Sequence, residues 1–302
     1  KVDAPHVSVI VPAHNKFNVT YFCLCALLFA SNKTSFEVVV VDDGSDDDTL
    51  DLPTLAPNVT YCRNEVAQGF VRACNLGASH ARGKYLVLLN NDTEPTVGWL
   101  DELLLAFDNF EQVGMAGSKL LYPDGRLQEA GGIVWNNGNP WNYGRLANPW
   151  DSRYSYTRQA DYLSGAAVML PRTVWDQVGG LSDEFAPAYF EDTDLCFKVR
   201  DIGLKTYSVS TSIVYHFEGI SNGTDVKTTT GLKRYQEINR PKFKRKWISS
   251  LHSNGEEGKD PDLAKDRGII GRALFIDYQT PKPDIDAGSY ATVQEMRLVQ
   301  SL

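Results

Sequence analysis

Three acidic clusters and one histidine carry the chemistry open to this chain. Asn90-Asn91-Asp92 ends the apolar run Tyr85-Leu86-Val87-Leu88-Leu89. That sets a carboxylate at the C-terminal end of a buried strand, the edge at which open α/β sheets bind ligands. Upstream, Val38–Val41 runs into Asp42-Asp43-Gly44-Ser45. Downstream, Glu191-Asp192-Thr193-Asp194 is followed by Tyr215-His216-Phe217. Strand-end carboxylates with one histidine suit a divalent cation, Mn2+ or Mg2+, that holds a diphosphate. One carboxylate is left to act as a base. The chemistry expected is sugar transfer from a nucleotide.

Composition sets the frame for these groups. The 302 residues suffice for one large domain with an extension, and 42% hydrophobic and 23% charged residues are ordinary for a globular protein. A net charge of −8 disfavours nucleic acid as a partner. No apolar run approaches the ~20 residues of a membrane-spanning helix, and no signal-peptide pattern opens the chain. Five cysteines without a C-x-x-C spacing read as free, mostly buried thiols, and a cytoplasmic setting follows as the expectation.

Elements that could position the acidic clusters alternate along the first half. Strands are expected at Val7–Pro12, Val38–Val41, Asn58–Cys62 and Tyr85–Leu89, with helices over Asn18–Ala30 and Gly69–Ala81. This is the pattern of a mostly parallel, doubly wound α/β sheet. Further strands are expected at Val113–Leu121, Ala160–Leu170 and Thr206–Tyr215, helices at Arg172–Val178 and Asp192–Ile202, and a turn-rich excursion at Gly125–Gly132. Residues 136–158 have no period but hold Trp141, Tyr143, Trp150, Tyr154 and Tyr156. These aromatics either stack on acceptor sugars or pin a long insert.

The tail changes character. Lys227–Lys246 is basic. It reads as a solvated helix, a flap over a diphosphate, or a peripheral contact with anionic lipid headgroups at the inner face of a membrane. Residues 249–267 read as a linker. Arg272–Asp277 reads as a strand and Tyr290–Leu302 as an amphipathic helix. A lone strand and helix bury no core, so 268–302 is expected to open a second domain that continues past residue 302.

Five ordered blocks carry a resemblance: V-S-V-I-V-P-A-H-N, V-V-V-D-D-G-S, N-E-V-A-Q-G-F-V-R-A-C-N-L-G, L-L-N-N-D and Y-F-E-D-T-D-L-C. With Gly179-Gly180-Leu181 and His216, they make residues 7–247 resemble the family 2 glycosyltransferases. That family has the GT-A fold and inverts the anomeric centre. The variety is similar to rhamnosyl- and related transferases that build bacterial surface polysaccharide such as O-antigen. A-L-F-I-D-Y-Q-T-P-K-P-D-I-D-A-G-S resembles the start of a GT-B-type glycosyltransferase, which would make the parent a multidomain glycan-assembly enzyme. Residues 1–248 would then be the GT-A domain.

The resemblance implies roles. Pro12, Ala13 and Asp43, with Asp42 beside it, would line the base and ribose pocket, and Asp43 would accept from a pyrimidine imide N–H. That favours UDP- or dTDP-sugars over GDP-sugars. Gly69, Arg72 and Asn75 would lie near the donor, as would Asn90 and Asn91. Asp92 and His216 would be the metal ligands, with Asn90 standing where the family has the first carboxylate of D-x-D. Asp192 would be the general base beside Glu191. Like-charge repulsion from Glu191 and Asp194 would raise its pKa, unless Asp194 caps the helix. Gly165 either lets backbone approach the sugar or marks a bulge. The acceptor would be a growing glycan, either free or lipid-linked. A catalytically weak glycan- or nucleotide-binding module is the alternative, and a nucleotidyltransferase releasing pyrophosphate is a third reading.

Overall fold

The computed structural model describes residues 4–219, 232–269, 271 and 273–300. The first half alternates as its periodicity requires: β1 (Val7–Ala13), α1 (Phe17–Phe29), β2 (Phe36–Asp43), the short α2 (Leu52–Leu55), β3 (Thr60–Asn64), α3 (Phe70–His80) and β4 (Tyr85–Leu89). The four strands lie parallel in the order β3-β2-β1-β4. Strands β1, β2 and β4 carry the apolar runs Val9–Val11, Val38–Val41 and Leu86–Leu89 because both faces are covered. Ile10, Val39, Val41, Leu86 and Leu88 pack towards α3. Val9, Val11, Val40, Val87 and Leu89 pack with Cys23, Leu24 and Leu27 of α1. Burying each such side chain contributes about 1.5–3 kcal/mol relative to exposure. Gly77 lets α3 sit close, since a Cβ there would stand 2.4 Å from Cγ2 of Ile10.

The order reverses between β1 and β4, and this opens a crevice at their C-terminal ends. From there the sheet becomes mixed. β5 (Thr93–Pro95) and α4 (Trp99–Asn109) lead to β6 (Val113–Leu121), β7 (Leu127–Glu129) and a hairpin of β8 (Gly132–Val134) and β9 (Pro140–Asn142). Then come β10 (Arg158–Gln159), β11 (Ala167–Pro171), α5 (Arg172–Val178), α6 (Glu191–Asp201) and β12 (Lys205–His216). β11 is antiparallel to both β4 and β6, while β12 runs parallel to β6.

Two expectations change here. The strand expected over Ala160–Leu170 is confined to β11, and the chain turns at Gly165 and Ala166. That break exposes backbone N–H groups that are used at the site below. Helix α4 was not anticipated, although Trp99, Leu100, Leu103 and Ala106 bury one face of it at helical spacing.

Residues 136–158 are pinned by their own aromatics. Trp135, Tyr143 and Tyr154 are buried in one cluster with Leu127 and Ile133, and Trp141 stands edge-on to Trp135 at 5.3 Å. Trp150 is exposed and lies under the ammonium of Lys119, 4.9 Å from the ring centre. The basic segment forms α7 (Tyr235–Lys246); its expected start, 227–231, lies outside the described residues.

Residues 249–265 are not a free linker. With α8 (Ile248–Leu251) and α9 (Pro261–Ala264), they belong to the first compact unit, which extends to Lys265. Asn254 Nδ2 donates to the Val134 carbonyl at 2.6 Å, and Glu257 accepts from Asn137, Asn139 and Trp141. Among its described residues the second unit holds one helix, α10 (Ala287–Gln300). Of the strand expected over Arg272–Asp277, residue 272 lies outside the described residues, and the described residues 273–277 form no strand, with Leu274 and Ile276 exposed. Among the described residues, no helix is long and apolar enough to cross a membrane.

Candidate active site

Residues 124 positions apart meet at the end of β4 because β12 pairs with β5. His216 is in register with Thr93, and Phe217 N–H donates to the Asp92 carbonyl at 2.9 Å. His216 Nε2 then lies 3.2 Å from Asp92 Oδ1 and 3.3 Å from Asn90 Nδ2. Its Nδ1 is 2.9 Å from Gln128 Oε1 on β7. A carbonyl oxygen only accepts, so Nδ1 carries a proton, and Nε2 is the ring nitrogen turned to Asp92 and Asn90. An imidazole nitrogen next to a carboxylate is a donor set that suits Mn2+ or Mg2+. Among the described residues, no three His, Cys, Asp or Glu side chains gather into a ready cage. Two protein ligands completed by diphosphate and water oxygens is how Mg2+ is commonly held in phosphate-handling sites.

The other wall comes from α6 and the break before β11. Asp192 Oδ2 accepts from Gly165 N–H at 3.1 Å, and Oδ1 accepts from Thr193 N–H at 2.6 Å. Burial raises the Asp192 pKa, and these hydrogen bonds only partly oppose it. Glu191 is also pushed well up, by burial first and by the Asp192 charge second. The shift on Asp192 therefore has burial as its largest cause, and the repulsion between the pair appears on Glu191. Glu191 Oε2 is buried without a hydrogen-bond partner. Asp194 neither caps α6 nor faces the site. It accepts from Trp247 Nε1 at 2.7 Å, from Lys246 at 2.7 Å and from Ser182 at 2.6 Å.

Both walls face one cavity of about 340 Å³, lined by Asn90, Asp92, His216, Gly165, Glu191 and Asp192. Its rim carries Asn139 and Asn142 of the insert and Lys233, Gln236 and Arg240 of the basic segment. Gly165 is thus at the site, where its amide holds Asp192. Trp141 and Trp150 do not line the cavity.

The remaining expected donor residues lie elsewhere. Asp42 is fully buried and accepts from Ser45 N–H, Tyr61 Oη and Arg63. Burial alone would raise its pKa, but those donors hold it below the ordinary carboxylate range. Asp43 accepts from Asn64 Nδ2, Gln68 N–H and Gly69 N–H at 2.7–2.9 Å, so it pins the 64–69 loop. Gly69, at φ 87°, makes that turn, and a Cβ there would collide with Pro187. Pro12 and Ala13 are buried at the end of β1. Asn91 turns away to donate to Thr20 on α1 at 2.9 Å. Arg72 is committed to a bidentate pair with Asp183 at 2.7 and 2.9 Å. Asn75 clamps the backbone of Leu181 at 2.9 and 3.0 Å. None of these eight lines the cavity.

Gln128 and Glu129 were missed, lying in what read as a turn-rich excursion. Two adjacent polar residues in a stretch flanked by Leu127 and Ala130 were the only signal. Glu129 Oε1 accepts from Ser164 N–H at 3.1 Å, and burial pushes its pKa up to about 8. A carboxyl with a folded-state pKa above its unfolded value costs stability progressively as pH rises between the two. Glu129→Gln keeps the acceptor for Ser164 and removes that cost. It is expected to raise the melting temperature more at pH 8 than at pH 5; an equal shift at both would contradict a buried neutral acid.

A family model described as "Glycosyl transferase family 2" matches residues 8–169, more than half of the 302. The Sinorhizobium fredii protein y4gI is 29% identical over 274 residues, covering 87% of this chain and 30% of that protein. The O-antigen biosynthesis protein RfbC of Myxococcus xanthus is 29% identical over 231 residues, covering 73% of this chain and 18% of that one. The chain thus spans less than a third of the length of either relative. A crystal structure of GalNAc-T7 with UDP, GalNAc and Mn2+ superposes with a TM-score of 0.63 at 16% identity, covering 83% of this chain and 50% of that one. The fold is that of the GT-A glycosyltransferases, and the chain belongs to glycosyl transferase family 2.

Proposed function

We propose that this domain is an inverting transferase that moves a glycosyl group from a nucleoside-diphosphate sugar to a hydroxyl of a growing glycan. One observation carries this reading: the Asp92–His216 pair and the Asp192 carboxylate face the same cavity. Asp92 and His216 are the residues that would hold a divalent cation, and the chemistry it would supply there is neutralisation of charge on the leaving diphosphate. Lys233 and Arg240 also line the cavity, paired with Glu218 and Glu237. Asp192, ionised above its raised pKa, takes the acceptor hydroxyl proton as that oxygen bonds to the anomeric carbon. The bond from the anomeric carbon to the diphosphate oxygen breaks, and the nucleoside diphosphate departs.

Pyrimidine nucleotides, UDP or dTDP, are the proposed donors. A carboxylate has about four acceptor positions, and the loop takes three of those on Asp43. Asp43 is 5% exposed and lies outside the cavity, so the pyrimidine preference rests on the family resemblance. Surface polysaccharide of the O-antigen type is the proposed product class, in line with the RfbC relative. Incubation with UDP- and dTDP-sugars and an oligosaccharide acceptor is expected to release nucleoside diphosphate. Release of pyrophosphate instead would mean nucleotidyl transfer.

A further inference from the structure

We propose that Gln128 is a positioning residue that fixes the tautomer of His216, and that Glu218 locks Gln128 in the orientation that does so. This rests on the cation reading above. Each link in the chain is forced by donor and acceptor chemistry. Glu218 is set by Tyr122 Oη at 3.0 Å and Arg145 at 3.1 Å, with Lys233 at 3.9 Å. A carboxylate so placed only accepts. Gln128, which is 2% exposed, must therefore turn its NH2 towards Glu218, where Nε2 donates to Oε2 at 3.3 Å. Its carbonyl is left facing His216, and only the Nδ1–H tautomer satisfies it, at 2.9 Å.

The alternative tautomer would close the site, which is why a lock is needed. With its proton on Nε2, His216 would turn an N–H instead of a lone pair towards the side of Asp92 Oδ1, 3.2 Å away. That nitrogen would then be closed to a cation. Asn90 supports the open form from the other side, since its Nδ2 lies 3.3 Å from Nε2 and donates to a lone pair. Hydrogen bonds to the second nitrogen of a ligating histidine are worth about 10–100-fold in metal affinity.

The test combines histidine 15N NMR with Mn2+ binding followed by electron paramagnetic resonance in the presence of UDP. Wild type is expected to show His216 as the Nδ1–H tautomer. Gln128→Met, close in shape but without an acceptor, is expected to shift His216 to Nε2–H and weaken Mn2+ binding about 10–100-fold. Gln128→Glu keeps an acceptor and is expected to keep the Nδ1–H tautomer, which guards against a Met variant that does not fold. A Met variant with the wild-type tautomer and unchanged Mn2+ affinity overturns the lock alone. Absence of Mn2+ binding to the wild type overturns the cation reading and removes the purpose of the lock.

Discussion

Replacing Asp192 with asparagine is expected to lower sugar transfer about 100- to 10,000-fold, the range that a positioned general base supplies, while nucleoside diphosphate binding stays at the wild-type level. The side chain keeps its size, and its amide oxygen still accepts from Thr193 N–H, which Asp192 now holds at 2.6 Å. What is lost is the lone pair that takes the acceptor proton. Burial raises the Asp192 pKa, so the base form appears only above the ordinary carboxylate range. Wild-type transfer should fall as pH drops through that raised value, and the fall should be absent from any residual activity of Asp192→Asn. Steady-state rates from pH 5 to 8, with binding measured alongside, check both. A variant that transfers at the wild-type rate would remove Asp192 from the mechanism.

Asp92→Asn is expected to have the second large effect, and on a different quantity. Losing the carboxylate beside Nε2 leaves one charged ligand fewer for the cation, and loss of one electrostatic stabiliser of a leaving group costs about 100- to 1,000-fold in rate. Unlike Asp192→Asn, this variant should also lose the part of nucleotide affinity that depends on metal. His216→Ala should behave in the same way, because the two side chains stand 3.2 Å apart as one site. Rates measured against Mn2+ concentration separate the cases. Saturation shifted to higher Mn2+ supports ligation, whereas an unchanged Mn2+ dependence in both variants would place the cation elsewhere.

What the sequence made legible follows from burial. Strands β1, β2 and β4 are covered on both faces, so their apolar runs are long and their ends are clear. Asp92, three residues past β4, Asp192, in the first turn of α6, and His216, the last residue of β12, stood out because each lies at the edge of an element. The limits are geometrical. Asn90 and Asn91 lie in the turn after β4, where no period reports side-chain direction, so they were indistinguishable in sequence, yet one faces the cavity and the other Thr20. A helical residue is placed along its axis by a motif but not around it, and Arg72 and Asn75 turned out to bind Asp183 and Leu181. Gln128 and Glu129 sit in a three-residue strand, too short to show a period. Residues 249–265 are polar enough to read as a linker, yet Asn254 and Glu257 tie them to the insert. No local pattern reports a contact made across about 120 residues of chain, the separation of Asn254 from Val134.

The most direct measurement is isothermal titration of UDP into the protein with Mn2+ and again with a chelator, for wild type, Asp192→Asn and Asp92→Asn. The account predicts Mn2+-dependent binding in wild type and in Asp192→Asn, and loss of the metal-dependent part in Asp92→Asn. UDP binding that is equal with Mn2+ and with chelator in the wild type would contradict a cation held by Asp92 and His216.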